Sequence, residues 1–301
     1  MLSILIPVYN DNVRHLVTEI HVQVKKASII FEIIAADDCS TQTEISSENK
    51  KIISQLSNCL YLQNETNLGR TATRNILAKN ARHNYLLFLD ADVMPAKTNF
   101  IEKLIASVKK YKYEIIYGGI AKNTKIPTKD KRLRWKFANQ RESKALALRK
   151  KEPYLSLISQ CICIQKDVFL VANTFLENRY GLDILFSYRL KKMKVAVLHI
   201  ENPIVNHGLE DNKSFINKSK RAIDSLLYFE EKGWLPKDYS SLQKAYLHLE
   251  KKHATALFRF IIGKFNPLIK KNLCSKNPSL FLFDLYRLNY FICQKKNSTN
   301  A

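Results

Sequence analysis

The chain has 301 residues, a hydrophobic content of 46% and a formal net charge of +22. A chain of this length and composition can bury one large core with an added subdomain, which excludes intrinsic disorder. It has no uninterrupted apolar run of about 18 residues and its first residues enter a predicted strand, so we expect neither a membrane span nor a secretory signal. The six cysteines show no zinc-site spacing, which favours reduced thiols and a cytoplasmic location.

Apolar segments predict four buried strands in the first ninety residues, and polar residues follow every one of them. Periodic segments between the strands predict helices, and this alternation indicates a mostly parallel sheet flanked by helices on both faces. The predicted strands are residues 3–8, 31–36, 60–63 and 86–89, and the polar residues that follow them are Tyr9, Asn10, Asp37, Asp38, Asn67, Asp90 and Asp92.

Asp90 and Asp92 follow the fourth strand directly and lie one residue apart. In an open α/β sheet, ligands bind outside the carboxyl ends of the strands. Residues i and i+2 of an extended chain point the same way, so both carboxylates can reach one hard cation, Mg2+ or Mn2+, and through it a diphosphate. The alternative is an ordinary acidic turn.

The third predicted helix begins after Asn67 and Gly69 and runs through Arg74. The N-terminal amides and partial positive charge of such a helix suit a phosphate group. Arg74 lies one turn inside this helix and would face the phosphate. The alternative is a solvated helix arginine.

The order and spacing of these motifs resemble those of a family 2 glycosyltransferase over the first two thirds of the chain. The resemblance implies the GT-A fold, a Rossmann-like α/β architecture with a mostly parallel sheet, and here with a helical C-terminal extension. The motifs that carry it are Ile6-Pro7-Val8-Tyr9-Asn10, Asp37-Asp38-Cys39-Ser40, Asn67-Leu68-Gly69 through Arg74-Asn75, and Asp90-Ala91-Asp92.

The resemblance implies that these motifs bind a nucleotide-sugar. Tyr9 would stack on the base, Asp37 or Asp38 would accept a hydrogen bond from its imide, and Arg74 would approach the diphosphate. The residues themselves also fit a half-buried aromatic at Tyr9 and a helix-capping turn at Asp37 and Asp38. The full implied set is Pro7, Tyr9, Asn10, Asp37, Asp38, Asn67, Gly69, Arg74, Asp90 and Ala91.

The same resemblance implies a metal site. Asp90 would face the ribose or the metal, Asp92 would coordinate Mn2+ or Mg2+, and His207 would complete the shell. An imidazole beside two carboxylates suits Mn2+ better than Ca2+. His207 follows a predicted strand over residues 195–200, and its alternative is a structural loop histidine.

The run Tyr180-Gly181-Leu182-Asp183 resembles the family's Glu-Asp element, which begins a helix and supplies the general base. By this resemblance Asp183 removes the proton of the acceptor hydroxyl. The family usually has Glu where this chain has Leu182, which puts in doubt the acceptor contact of the missing acid. The alternative for Asp183 is a first-turn acid favoured by the helix dipole.

The positive charge is concentrated in two segments. Residues 121–151 hold 12 Lys and Arg against 2 acids, and residues 211–301 hold 17 against 7. The first segment lies where the family has its acceptor-side insertion, and its field suits a phosphate-bearing acceptor or an anionic membrane leaflet. A solvated surface is the alternative. Nucleic acid is not expected, because neither segment contains a recognisable binding module.

We expect a catalytic domain over residues 1–209, with a donor half at about 1–95 and an acceptor half at about 96–209, and a basic helical extension over 210–301. Beyond residue 209 the strand patterns give way to helical periodicity. The aromatic segment at residues 280–293 is expected either to pack on the catalytic domain as core or to lie on a membrane surface.

The sequence therefore predicts a metal-dependent, inverting glycosyltransferase that moves a sugar from a UDP-sugar to a bacterial surface glycan or lipid-linked acceptor. We expect it at the cytoplasmic membrane's inner face, in peripheral contact with anionic lipid. One alternative is a sugar nucleotidyltransferase, although its Gly-rich N-terminal loop is missing between Pro7 and Val13. Another is a non-catalytic polyanion- or membrane-surface-binding protein on a transferase scaffold, which only Leu182 supports.

Overall fold

A computed structural model describes residues 1–175 and 177–299. The chain forms two compact units. The first contains residues 1–122, 142–178 and 189–208. The second contains residues 123–141, 179–188 and the chain from residue 209 onward.

The elements are numbered here in chain order. The strands are β1 (Leu2–Val8), β2 (Phe31–Asp37), β3 (Cys59–Gln63), β4 (Tyr85–Leu89), β5 (Val93–Pro95), β6 (Ile115–Tyr117), β7 (Cys161–Gln165), β8 (Val197–His199) and β9 (Ile204–Asn206). The helices are α1 (Arg14–Lys26), α2 (Thr43–Ser54), α3 (Arg70–Asn80), α4 (Phe100–Lys110), α5 (Arg132–Phe137), α6 (Leu146–Lys151), α7 (Lys166–Ala172), α8 (Leu182–Lys192), α9 (Asn212–Glu231), α10 (Ser241–Lys251), α11 (Thr255–Leu273) and α12 (Leu280–Thr299).

The first unit is built on a seven-stranded sheet with the order β3-β2-β1-β4-β7-β6-β8. Strands β1 to β4 are parallel to one another, β7 runs antiparallel to both β4 and β6, and β8 is parallel to β6. A separate antiparallel pair joins β5 and β9. The predicted α/β architecture, a mostly parallel sheet flanked by helices, is confirmed.

The inner strands carry mostly apolar side chains because helices cover both faces of the sheet. Ser3 of β1 and Glu32 of β2 are buried polar exceptions, and the Ser3 hydroxyl donates to the Glu32 carboxylate at 2.6 Å. Leu5 lies beside Ile34 of β2 on one side and beside Phe88 of β4 on the other, and all three are buried. Cys161 and Cys163 of β7 are buried as well, as small hydrophobic side chains would be. Burial raises the pKa of both thiols, that of Cys163 to about 12, so neither is a reactive thiolate near neutral pH.

The second unit has a helical core of its own. Asp211 caps the start of α9, where its carboxylate accepts hydrogen bonds from the backbone N–H groups of Lys213 and Ser214. Phe215 of α9 lies 5.3 Å from Phe283 of α12 between ring centroids, and both are buried. The aromatic segment at 280–293 therefore contributes to the helical core of the second unit, while its packing on the catalytic domain and its contact with a membrane both stay predictions.

None of the helices in residues 1–175 and 177–299 combines the length and the hydropathy that crossing a bilayer requires.

His199, the last residue of β8, is buried with its ring 5.5 Å from that of Tyr117 between centroids. Its Nε2 lies 3.1 Å from the carbonyl oxygen of Pro153. The pKa of His199 is lowered from 6.5 to about 4, chiefly by burial and also by the positive charges of Arg149 and Lys150, against the raising effect of the Pro153 hydrogen bond. His199 is therefore neutral in the folded protein at physiological pH.

Folding stability should fall on acidification because of His199. The unfolded chain takes up a proton on this residue below about pH 6.5, whereas the folded chain does so only near pH 4. Above pH 6.5 the His199 side chain does not affect the pH dependence of the free energy of unfolding. As the pH falls towards 4, that free energy falls by up to about 3 kcal/mol. Urea unfolding of the wild type and the His199→Gln variant over this range measures it, with the exposed His15→Gln as control. Parallel pH profiles of the wild type and His199→Gln would contradict the assignment.

Candidate active site

The carboxyl ends of β1, β2 and β4 lie at one edge of the sheet, because the three strands are parallel and in register. Val8, the last residue of β1, lies beside Asp37, the last of β2. The backbone N–H of Asp38 donates a 2.8 Å hydrogen bond to the carbonyl oxygen of Val8. The predicted motifs after these strands therefore start from neighbouring positions on this edge, all within the first unit.

Asp38 is buried and holds the loop that leads into α3. One carboxylate oxygen accepts the backbone N–H of Leu68 at 2.9 Å and the side-chain amide of Asn64 at 2.9 Å. The other accepts the backbone N–H of Gly69 at 2.8 Å. Both oxygens of Asp38 thus have partners within the protein, and its predicted contact with a nucleotide base stays a prediction.

Asp37 is also buried, and it closes the turn after β2. Its carboxylate accepts hydrogen bonds from the hydroxyls of Ser46 and Tyr61, the latter at 2.7 Å, and from the backbone N–H of Ser40 at 2.7 Å. Burial alone would raise the pKa of Asp37, but these hydrogen bonds outweigh it and the pKa lies below its ordinary value. Both aspartates therefore hold turns and loops at this edge, and neither occupies the N-cap position of a helix, since Gln42 precedes α2 and Gly69 precedes α3.

Asn10 connects the end of β1 to the turn before α2. Its backbone has a φ of 54°, and its side-chain oxygen accepts the backbone N–H groups of Thr41 at 2.8 Å and Gln42 at 3.1 Å. Tyr9, beside it, is 46% exposed, so its ring has a face open to solvent. Pro7 is half-buried inside β1. Tyr9 is the member of this motif whose side chain is available to stack on a ligand.

Gly69 precedes α3 with a φ of +83°, a conformation that L side chains rarely adopt. A Cβ at this position would lie 2.5 Å from the side-chain amide of Asn178, so a larger residue would also require that amide to move. Asn67 fixes the same loop by donating its side-chain amide to the carbonyl oxygen of Asp38 at 3.0 Å. Both residues position the start of α3.

Asp90 binds two arginines of α3. Arg74 donates to one carboxylate oxygen at 2.7 Å and also to the carbonyl oxygen of Ser159, and Arg70 forms an ion pair with the other carboxylate oxygen. The Arg74 side chain is 8% exposed and its guanidinium lies 5.8 Å from the centroid of the Phe88 ring, so Arg74 is not a solvated helix arginine. The Arg70 side chain is 43% exposed. The sequence did not single out Arg70, although it stands one turn before Arg74.

Asp92 is a partly buried acid two residues further on, with Ala91 half-buried between it and Asp90. The pKa of Asp92 is raised to about 6, chiefly by burial and then by the charges of Asp90 and Asp11, against the opposing effect of Arg70. A Cβ on Gly208 would lie 1.7 Å from a carboxylate oxygen of Asp92. The residue at 208 must therefore be glycine for the carboxylate of Asp92 to stay where it is.

Asp11 is an acid of this edge that sequence analysis missed. The residue as a whole is exposed, but loss of hydration at its carboxyl group and the neighbouring charge of Asp90 raise its pKa. Asp11, Asp90 and Asp92 therefore repel one another electrostatically. The signal was available, because Asp11 stands three residues beyond β1 just as the other acids follow β2 and β4.

His207 is brought next to Asp92 through the backbone. The pairing of β5 with β9 lets the His207 N–H donate to the carbonyl oxygen of Asp92 at 2.8 Å, while the His207 residue itself is exposed. Within residues 1–175 and 177–299, no three His, Cys, Asp or Glu side chains converge as an all-protein metal site would require. The predicted coordination by the His207 imidazole stays a prediction.

The acids of this edge nevertheless fit a divalent cation of one kind. Mg2+ and ions like it are held through one or two carboxylates, with waters and substrate phosphates as the other ligands. The raised pKa of Asp92, caused by burial and by Asp90 and Asp11, indicates uncompensated negative charge that a cation would offset. Asp92 and Asp90 are the residues that could hold such an ion together with a diphosphate.

Asp183 lies in the first turn of α8 and is exposed, in a segment of the second unit. Leu182, directly before it, is buried. Gly181 has a φ of +92°, and a Cβ there would lie 3.0 Å from the Cα of Ala222, so this turn packs closely on α9. The burial of residue 182 suits an apolar side chain better than an acid.

A family model described as glycosyl transferase family 2 matches residues 3–170, more than half of the chain. A Haemophilus influenzae protein named as an uncharacterized glycosyltransferase is 31% identical over 107 residues. That alignment covers 35% of this chain and 34% of the relative, so it spans about a third of the relative's length.

Two solved structures share the architecture. The mannosyltransferase PcManGT from Pyrobaculum calidifontis, in complex with GDP-Man and Mn2+, has a TM-score of 0.58 at 12% identity, covering 97% of this chain and 86% of its own. Mannosyl-3-phosphoglycerate synthase from Rubrobacter xylanophilus has a TM-score of 0.54 at 15% identity, covering 79% and 76%. At such identities the likeness shows the fold, and the predicted GT-A fold is confirmed.

Replacing Asp38 by Asn should destabilise the protein by about 1–3 kcal/mol, because an amide N–H₂ would then face one of the backbone N–H groups that the carboxylate now accepts. The free energy of urea unfolding measures the loss. Asp238→Asn, at an exposed acid, is the control and should change stability little. An Asp38→Asn variant as stable as the wild type would show that Asp38 does not hold the loop before α3.

Proposed function

The chain belongs to glycosyl transferase family 2, and we propose that it moves a sugar from a nucleotide-diphosphate donor to a hydroxyl group of a bacterial surface glycan or lipid-linked acceptor. The observation that carries the donor part is the arrangement at the carboxyl edge of the sheet. There, two arginines of α3 converge on Asp90, and the partly buried acid Asp92 lies two residues away.

The donor's diphosphate is proposed to bind between the start of α3 and Asp92. Arg70 and Arg74 now share Asp90 as an anionic partner, and a diphosphate would give their guanidinium groups a second one. The backbone N–H groups at the start of α3 add a partial positive charge. A bound Mn2+ or Mg2+ would neutralise the charge of the leaving diphosphate, with Asp92 and Asp90 as its protein ligands.

Tyr9 is proposed to stack on the nucleotide base, since it is exposed beside the rigid turn that Asn10 holds. The sequence favours UDP as the nucleotide. GDP is the alternative to include in a test, because the similar mannosyltransferase from Pyrobaculum calidifontis is in complex with GDP-Man.

We propose Asp183 as the general base that takes the proton of the acceptor hydroxyl. Asp183 is an exposed carboxylate in the first turn of a helix, where a hydroxyl group of an acceptor can approach it and give up a proton to it. A single base without a second nucleophile corresponds to inversion at the anomeric carbon. The non-catalytic alternative was supported by Leu182 alone, and the burial of that side chain gives a structural reason for the departure.

Asp92→Asn should abolish the part of nucleotide-sugar affinity that depends on Mn2+, because it removes a carboxylate charge from the proposed cation site. A thermal-shift screen of UDP-sugars and GDP-sugars, with and without Mn2+, measures this, since a ligand that binds only the folded state raises the unfolding temperature. Asp167→Asn, at an exposed acid of α7, is the matched control. Undiminished Mn2+-dependent binding in Asp92→Asn would contradict the metal assignment.

Asp183→Asn should lower kcat on the order of a hundredfold or more, the usual scale for a positioned general base, with donor affinity unchanged. Transfer rates and donor affinity are measured separately with the sugar that the screen identifies. Asp238→Asn is the control for loss of a surface charge. An equal loss of donor affinity would move Asp183 to the donor-binding residues, and full activity would exclude it as the base.

A further inference from the structure

Helix α11 of the second unit presents an apolar face to solvent. Five large apolar side chains of this helix are between 43% and 70% exposed: Leu257, Phe260, Ile261, Phe265 and Leu268. Their spacing of three and four residues places them on one side of the helix. This is a continuous apolar surface, which differs from the scattered exposed apolar residues that are normal on a soluble protein.

The other side of α11 is fixed within the second unit. Ile269 and Leu273 are buried in its helical core, together with Phe283 and Tyr286 of α12. Phe281, in the first turn of α12, is 67% exposed. The apolar face is therefore displayed by a helix that the core already holds in place, and it needs no unfolding to be offered to a partner.

The charges around this face have one sign. Residues 251–283 contain seven Lys and Arg and no Asp or Glu. Lys264 and Lys271 are exposed and fall on the same side of α11 as the apolar residues, at helical spacings from Leu257, Phe260 and Leu268. An apolar helix face with lysines among and beside it is the composition of a helix that lies in the plane of a membrane interface.

We propose that α11 docks on an anionic lipid leaflet, with Leu257, Phe260, Ile261, Phe265 and Leu268 in the boundary between headgroups and acyl chains. The lysines would contact the lipid phosphates, while the apolar side chains leave water. A second copy of the chain fits this surface less well. A two-fold contact through α11 would bring the seven cations of each copy together with no acid in the segment to compensate them.

This proposal does not depend on the transferase activity, because it concerns binding of the full chain to lipid. Electrostatic attraction and the hydrophobic effect have separate roles in this binding. The lysines attract the protein to the leaflet and are screened by salt, whereas the apolar side chains hold it there and are not. Binding should therefore be stronger on anionic vesicles and should fall, but not vanish, as salt is added.

Cosedimentation of the full chain with vesicles tests it, using phosphatidylglycerol mixed with phosphatidylcholine against phosphatidylcholine alone. The double variant Phe260→Ser with Leu268→Ser should lose at least about tenfold in affinity for the anionic vesicles, because two apolar side chains no longer insert. The control variant Val22→Ser with Ile30→Ser changes two equally exposed apolar residues of the first unit and should bind as the wild type does. The unfolding temperature of each variant is measured first, so that a loss of vesicle binding is not confused with a loss of folding.

A second measurement follows the face directly. The emission of Phe260→Trp, after subtraction of the wild-type signal from Trp135 and Trp234, should shift to shorter wavelength when anionic vesicles are added. Three results would overturn the proposal: no binding of the wild type to anionic vesicles at low salt, equal binding of the double serine variant, or a wild-type dimer in solution that the double serine variant dissociates. The last of these would make the face a contact between copies of the chain.

Discussion

The position of helix α3 depends on one buried carboxylate, that of Asp38. It is the first residue after β2, and it accepts the backbone N–H groups of Leu68 and Gly69, which no helix bond would otherwise satisfy. Since β2 is held in the sheet between β3 and β1, these bonds fix the start of α3 relative to the sheet edge. The two arginines of α3 reach Asp90 only because this start is fixed, so the proposed donor site follows from it.

At the edge of the sheet, some charged side chains are paired within the protein and others are left to pair with a ligand. Asp90 is compensated by Arg70 and Arg74, whereas Asp92 is left with a raised pKa among neighbouring acids. A nucleotide diphosphate with its cation brings one negative and one positive group to such a place. The acids at this edge therefore have two roles: Asp38 holds the loop before α3, and Asp92 is the proposed ligand of the cation.

The strands, the helix starts and the acids after the strands could be predicted from the sequence, because buried strands and turns have local signatures. What could not be predicted depends on distant packing. The apolar residue pattern of β7 does not indicate that this strand runs antiparallel to β4. The raised pKa of Asp11 depends partly on Asp90, which is distant in the sequence. Residues 280–293 and 257–268 are similarly apolar, and only the packed structure shows that most large apolar side chains of the first segment are buried, whereas five of the second are exposed.

The most direct test of the donor site is the anomalous scattering of Mn2+ in a crystal of the protein grown with a nucleoside diphosphate. If the proposed donor site is correct, a manganese peak will lie within coordination distance of a carboxylate oxygen of Asp92, between that oxygen and the diphosphate. Asp38 will still accept the N–H groups of Leu68 and Gly69. A manganese peak on Asp37 or Asp38, or a diphosphate bound away from Arg70 and Arg74, would contradict the proposed site.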